Sequence, residues 1–403
     1  MEHDPESVLR RLFACCRDNE WSGYDPYDAL NSKWFQSSPL ASSRLARLAL
    51  IQAVKRSPIN FRNVLQVPKT ANPKGIALIL SAALKAPELC SDQTGEVSNL
   101  LAAMLIDLRS PESPYWCWGY SFPWQTRTVL VPRYAPNLVC TAFVADSLLE
   151  LYVQRRDERY LEIAVSAADY LLDKLYWSDS TSAGFSYPLP SVRNQVHNAN
   201  FLAASLLCRV YKITGYERFL EPALRAARYS AAQQREDGSW YYGESSTQHW
   251  IDNFHTGFNL CALRAMADNL ETAEFAKCME RGFEFYRKHF ICEDGAPRYF
   301  HDRTYPIDIH CGAQSIITLL TFQDFNAAGL ALANSVFHWL ISNMWDEKGY
   351  FYYRVLRIGR VRTSYMRWSQ AWMLLALAHL VHATETGARR PAAHESSRLV
   401  SAC

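Results

Sequence analysis

Apolar positions along the chain follow two alternating patterns. Some blocks are small and apolar all round; others repeat an apolar residue every three or four positions. The first pattern predicts helices buried on every side, and the second predicts helices with a single buried stripe. Five blocks of the first kind share a polar or aromatic lead-in. They begin near Asn137, Asn198, Asn253, Asp308 and Arg367 and align at Cys140, Asn200, Thr256, Cys311 and Ser369, in steps of 60, 56, 55 and 58 residues. A sixth copy falls at Gly75–Lys85. The striped blocks follow at Arg159–Leu175, Glu217–Gln233, Thr272–His289 and Ala327–Met344. In the third of these, Phe275, Cys278, Met279, Phe283 and Tyr286 form the stripe. Each striped block ends in an Asp/Gly turn beside aromatics: Asp179 to Gly184, Asp237-Gly238, Asp294-Gly295 and Asp346 to Gly349. Such turns read as short β-hairpins.

A repeat of buried helix, striped helix and hairpin can stack as an open solenoid or close into a ring. First helices buried on all sides, in six copies, favour closure. The expected fold is all-α, an (α/α)6 toroid of helical hairpins with short aromatic β-hairpins at one end. All inner helices then start at one face, which gathers the lead-ins and hairpins and is where a cleft belongs. The toroid is expected over residues 61–385. Residues 1–60 form an N-terminal helical extension packed on it, with helices at Pro5–Asn19 and Ser42–Lys55. Between those helices, Tyr24–Ser32 is turn-rich and suited to cap the face. Residues 386–403 read as a disordered tail.

Composition narrows the function classes. A 49% apolar, 20% charged chain is a globular protein with a sizeable core. A net charge of +2 gives no global field for nucleic acid or for a membrane surface. Apolar runs are too short for a transmembrane segment. The N-terminus shows no signal peptide, and eleven scattered cysteines without a CxxC fit reduced thiols, so a cytoplasmic location is expected. The 12 Trp, 22 Tyr and 19 Phe exceed what a core needs and suggest aromatic-lined loops.

Candidate chemistry lies in the lead-ins and hairpins. Asn137 and Asn198 read first as helix caps. Asp252 with His255, and Asp308 with His310, place an acid and an imidazole at the same point of two repeats, near helix N-termini that favour anions. His197 and Asn253 lie in the same lead-ins. Trp240, Tyr242, Arg298 and Tyr299 come from the hairpins, and Trp118, Trp124 and Arg127 from the densest aromatic cluster. Flat Trp and Tyr rings suit the apolar faces of sugars. Tyr365 sits between Arg362 and Arg367, a pattern suited to holding a carboxylate and acidifying the phenol. Tyr242, His255, Tyr299, His310 and Arg367 are the catalytic candidates. Substrate-binding candidates are Trp118, Trp124, Arg127, His197, Trp240, Asp252, Asn253, Arg298, Asp308, Arg362 and Tyr365. No Walker loop, GxGxxG or GxSxG is present. No cofactor and no stoichiometric metal are expected, although His310-Cys311-Gly312 and Trp116-Cys117-Trp118-Gly119 faintly resemble segments of lanthionine synthetases.

Gln234-Arg-Glu-Asp-Gly-Ser-Trp240 resembles the Q-x3-G-x-W motif of terpene-cyclase and prenyltransferase toroids. Leu138-Val-Cys-Thr-Ala142 is similar to the triterpene-cyclase DCTA segment with Val139 in place of its catalytic Asp, and DxDD is missing. Five further blocks run in a shared order: Tyr24–Ser32, Cys117–Arg127, Trp250–Phe258, Asp308–Gln314 and Tyr365–Met373. Together they resemble bacterial polysaccharide-biosynthesis proteins of the VpsJ type, which are similar, more distantly, to the helical C-terminal domain of glucuronyl 5-epimerases. The resemblance implies a role in making an exopolysaccharide or O-antigen, with an acidic saccharide or polysaccharide intermediate as partner and association with a synthesis complex.

Three readings stand. The first is metal-independent epimerisation or elimination at the carbon beside a uronate carboxylate, by an epimerase or lyase. The second is a non-catalytic glycan-binding or scaffold subunit of a polysaccharide assembly system. The third is a terpenoid-cyclase-like or prenyl-binding toroid.

Overall fold

A computed structural model describes residues 3–92 and 94–388. Three N-terminal helices, α1 (Pro5–Asp18), α2 (Lys33–Gln36) and α3 (Arg44–Arg56), precede a regular alternation. It runs α4 (Pro73–Lys85), α5 (Glu96–Asp107), α6 (Leu138–Arg155), α7 (Glu158–Tyr170), α8 (His197–Thr214), α9 (Leu220–Ala232) and α10 (Asn253–Leu270). It continues with α11 (Ala276–Phe290), α12 (Ile309–Thr321), α13 (Gly329–Met344) and α14 (Ala371–Ala388). The even-numbered helices from α4 form the inner ring. Each contacts the next, and α14 returns to α4, so the ring is closed. The expected toroid is therefore the observed fold.

The inner helices earn their place by composition. Eleven of the thirteen residues of α12, for example, are Ile, Cys, Gly, Ala, Ser, Thr or Leu, and every residue from Ile309 to Leu319 is buried. Capping starts several of them at fixed points. Asn137 accepts from the Cys140 amide at 2.9 Å, Asp252 from the His255 amide at 2.9 Å and Asp308 from the His310 amide at 3.0 Å. Each satisfies an amide that the first helical turn cannot. Asn198 behaves differently: it lies inside α8 and caps nothing.

The Asp/Gly turns tie the outer ring together. Asp237, Asp294 and Asp346 each accept from the amide two residues on, at 3.0, 3.0 and 2.9 Å. The glycines that follow have φ near +90°. A Cβ on Gly238 would meet the Arg281 carbonyl of α11 at 2.3 Å, and one on Gly295 the Ser335 carbonyl of α13 at 2.5 Å. Gly349 packs in the same way on Arg11 of α1. Each turn thus seats against the next outer helix, and α1, which packs on α14, takes the sixth outer position. Two of the four expected hairpins pair as strands, Tyr176–Ser178 with Ala183–Phe185 and Trp345–Asp346 with Tyr350–Phe351. The other two are turns: Asp294-Gly295 is closed by a single bridge, Ile291 to Pro297, and Asp237-Gly238 by the Arg235 amide, which donates to the Ser239 carbonyl at 2.9 Å.

The Q-x3-G-x-W segment is such a tie. Gln234 Nε2 donates to the Gly238 and Cys278 carbonyls, and Trp240 Nε1 donates to the Ser230 carbonyl at 3.1 Å. The tail expected from residue 386 begins as the last three residues of α14, and residues 389–403 lie outside those described. Among the described residues no helix is long and apolar enough to cross a membrane.

Candidate active site

The inner-helix N-termini surround a cavity of ≈ 460 Å³ at one face of the ring. Tyr242, His255, Tyr299, His310 and Arg367 all line it, together with Trp124 and Asp252. The two Asp/His pairs, read as equivalents from sequence, are built differently. Asp252, buried at the start of α10, accepts from His255 Nδ1 at 2.7 Å and from Trp250 Nε1 at 2.9 Å. A carboxylate only accepts, so Nδ1 carries a proton, and in the neutral ring the lone pair is on Nε2. Tyr242 stacks on Trp250 at 4.5 Å and covers one side of His255 at 4.5 Å. The three-residue spacing lets the imidazole fold back onto its cap.

Asp308 stands only two residues from His310, and its carboxylate is turned elsewhere. It accepts from Trp368 Nε1 at 2.9 Å and from Arg354 Nε at 2.6 Å. Asp308 therefore fixes Trp368, which lines the cavity, rather than meeting substrate. His310 is 1% exposed, and neither ring nitrogen has a partner among the described residues. Its ring lies between Phe254 at 4.6 Å, Trp368 at 4.5 Å and Trp372 at 4.7 Å. Burial, with Lys74 and Arg367 nearby, holds its pKa well below the usual imidazole value, so it is neutral.

The phenols are proton donors, not bases. Burial pushes Tyr242 and Tyr299 well above the ordinary tyrosine value. Tyr365 moves the same way, to about 12, which reverses the expected acidification. Its hydroxyl accepts from Arg62 Nη1 at 3.0 Å, away from the cavity. Arg362 is exposed over the Tyr352 ring. Arg367 does hold a carboxylate through both arms of its fork, but that carboxylate is internal. Its Nε and Nη2 donate to Asp25 Oδ2 and Oδ1 at 2.7 and 2.8 Å.

Several aromatic and polar candidates do not reach the cavity. Trp118 is fully buried and donates to the Leu105 carbonyl at 2.7 Å. Trp240 is buried against Phe201 and α11. Asn253 bridges Ser315 and Tyr286 inside the ring wall. His197 sits 3.3 Å from Ser230 Oγ, with burial lowering its pKa to about 4. Arg298 turns to the Cys292 sulfur, and Arg127 is exposed beside Thr247. In each case the backbone turn points the side chain into packing or outward, which residue type alone does not reveal.

Other lining residues escaped the sequence reading, Tyr27, Lys74, Tyr120, Tyr187, Trp250, Arg303 and Trp368 among them, and Asn198, read there as a cap, also lines the cavity. The Asn198 carboxamide oxygen has no partner among the described residues. Lys74 had a signal, a charged residue placed directly before the apolar run Gly75–Leu80. Tyr27 comes from the segment expected to cap the face. Among the described residues no three His, Cys, Asp or Glu side chains converge as metal ligands.

No family model and no curated protein matches the chain. Solved structures do. An unsaturated glucuronyl hydrolase specific for heparin superposes with a TM-score of 0.60 at 11% identity, over 95% of this chain and 97% of that one. Cellobiose 2-epimerase from Bacillus thermoamylovorans gives 0.60 at 11% identity, over 79% and 90%. The GH76 α-mannanase of Bacteroides thetaiotaomicron gives 0.58 at 14% identity, over 79% and 87%. At these identities the likeness is one of fold, and the fold is the (α/α)6 toroid.

Proposed function

We propose that this chain is a saccharide-modifying toroid of bacterial exopolysaccharide or O-antigen synthesis. On this reading it moves a proton at the ring carbon beside a uronate carboxylate, by epimerisation or elimination and without a metal. The observation that carries the reading is His255, whose Nδ1 is held by buried Asp252 at 2.7 Å while its ring lines an aromatic cleft. That arrangement supplies a tautomerically fixed base. The carbon acid then needs a donor on the other side and dipoles for the enediolate. The protonated phenols of Tyr242 and Tyr299, and neutral His310, supply donors. Inner-helix N-termini supply the dipoles. Trp124, Trp250 and Trp368 offer rings for the sugar's apolar faces. The solved structures with sugar-processing names share the fold and support the substrate class.

The test is exchange of the ring proton from D2O into uronate oligosaccharides, followed by NMR. His255→Ala is expected to lower exchange ~10²–10⁴-fold with the melting temperature kept. Oligosaccharides that bind in the cleft but never exchange would establish the glycan-binding subunit instead.

A further inference from the structure

The cavity floor carries an amine with no acceptor among the described residues. Lys74, the second residue of α4, is 3% exposed. Its Nζ lies 4.1 Å from the Phe143 ring centroid of α6, 5.1 Å from Trp372 of α14 and 5.3 Å from Phe258 of α10. No oxygen among the described residues accepts from it. His310 of α12 lines the same cavity with both ring nitrogens unpartnered. Four inner helices and α4 itself thus converge on a set of donors that lack acceptors. Buried donors are almost always paired in folded proteins, so an unpaired cluster in an open cavity marks where a ligand's acceptors belong.

We infer that Lys74 and His310 seat the carboxylate of an acidic sugar on the floor of the cleft, with Lys74 taking up a proton as the carboxylate binds. The inference rests on the saccharide reading of the cleft and names the substrate group that the floor selects. Charge supports a monoanion. Arg367, the neighbouring cation, is already neutralised by Asp25, and cavity-lining Arg303 is paired with Asp302. Once Lys74 is protonated the floor therefore offers one unit of positive charge, which a carboxylate matches and a phosphate dianion exceeds. The groups facing the pair are Arg367 at the entry to α14, Asp25 of the N-terminal segment, Cys140 of α6 and His255 of α10. Desolvation and Arg367 hold Lys74 well below the ordinary lysine value while the site is unliganded. An incoming carboxylate reverses both effects: it supplies the missing acceptor and an opposite charge. The amine then binds one proton, and no bond to carbon forms or breaks.

The test uses isothermal titration of the full chain with disaccharides in which one ring is glucuronate, glucose or glucose 6-phosphate. Titrations run in two buffers of different ionisation enthalpy, for the parent and for Lys74→Met. The parent is expected to favour the glucuronate form about 10- to 150-fold over the glucose form, the range for a hydrogen bond to charge. Binding of the uronate should be accompanied by net proton uptake. Lys74→Met should bind the glucose form like the parent, lose the preference and the proton uptake, and melt no lower. Equal binding of glucuronate and glucose by the parent, or binding of glucuronate without proton uptake, would overturn the inference and leave the saccharide reading standing. So would a preference for the phosphate. Failure of every sugar to bind the parent would sink both.

Discussion

Replacing Asp25 with Asn tests how the N-terminal segment is fastened to the ring. The carboxylate and the Arg367 guanidinium meet through two bonds of 2.7 and 2.8 Å, with side chains only 6% and 5% exposed. An amide in its place is nearly isosteric, and its oxygen can still accept from the Tyr27 amide, as Asp25 Oδ1 does at 3.0 Å. The loss is therefore specific: Arg367 stays buried without a counter-charge. Around it remain the rings of Tyr120 at 4.9 Å, Phe122 at 5.7 Å and Trp368 at 5.4 Å, which soften the loss without replacing the carboxylate. Removing one partner of a buried pair costs ~3–5 kcal/mol. Unfolding entropy of ~2.1 cal/mol/K per residue over 403 residues gives ~0.85 kcal/mol/K, so the melting temperature should fall by ~4–6 °C. Removing both partners, in Asp25→Asn with Arg367→Met, leaves no bare charge and should recover at least ~2 kcal/mol of that loss. Calorimetry on the parent, the two single variants and the double variant measures the coupling. A single variant within ~1 kcal/mol of the parent, or a double variant no better than Asp25→Asn alone, would refute a buried ion pair at this joint.

Two further outcomes follow from the same geometry. Trp118→Ala should cost ~3–5 kcal/mol and leave saccharide affinity unchanged, because Trp118 is core, whereas Trp250→Ala should weaken binding with a smaller effect on melting; titration and thermal melts read both, and the reverse pattern would move the cleft. Acid should destabilise the fold through histidines buried as neutral rings: the pKa of His197 falls to about 4 and that of His379 to about 3, with His310 also well below the usual value. Their folded values lie below the unfolded one near 6.5, so the stability is complete above pH 6.5 and is lost as pH falls toward 4. For His197 alone this amounts to ~3 kcal/mol, and the acid loss measured by urea titration should shrink in His197→Asn.

The ring was legible because its determinants are local and repeated. A cap such as Asn137 or Asp252, a run of small apolar residues and an Asp-Gly turn recur at near-constant spacing, and each acts within a few residues of itself. The Asp252–His255 pair was legible for the same reason, since cap and imidazole are one helical turn apart. What stayed hidden depends on distant partners. Arg367 read as a free carboxylate clamp because its true partner, Asp25, lies 342 residues away in sequence. Trp240 and Tyr242 are two residues apart, yet one enters the core and the other lines the cleft, because the Gly238 turn presses its strand-like exit against α11. Composition fixes how many rings a hairpin carries. The turn and the neighbouring repeat decide which of them face inward.

Lys74 shows why a site residue can be recognised by what it costs. It stands at the N-terminal end of α4, where the helix dipole disfavours a cation. It is desolvated, which disfavours the ammonium again, and Arg367 adds a third unfavourable interaction. Phe143, Phe258 and Trp372 offer cation–π contacts, worth at most a few kcal/mol together, and no anion. Methionine would fill the same cage without these penalties, and the neighbouring residues of α4, from Gly75 to Leu80, are apolar and fully packed. The largest effects in the unliganded fold, desolvation and Arg367, thus argue for an apolar residue at position 74, against the smaller pulls of Cys140, Asp25 and the rings. A lysine there is explained only by a state in which its amine has a partner, and on the proposed reading that state is the complex with an acidic sugar.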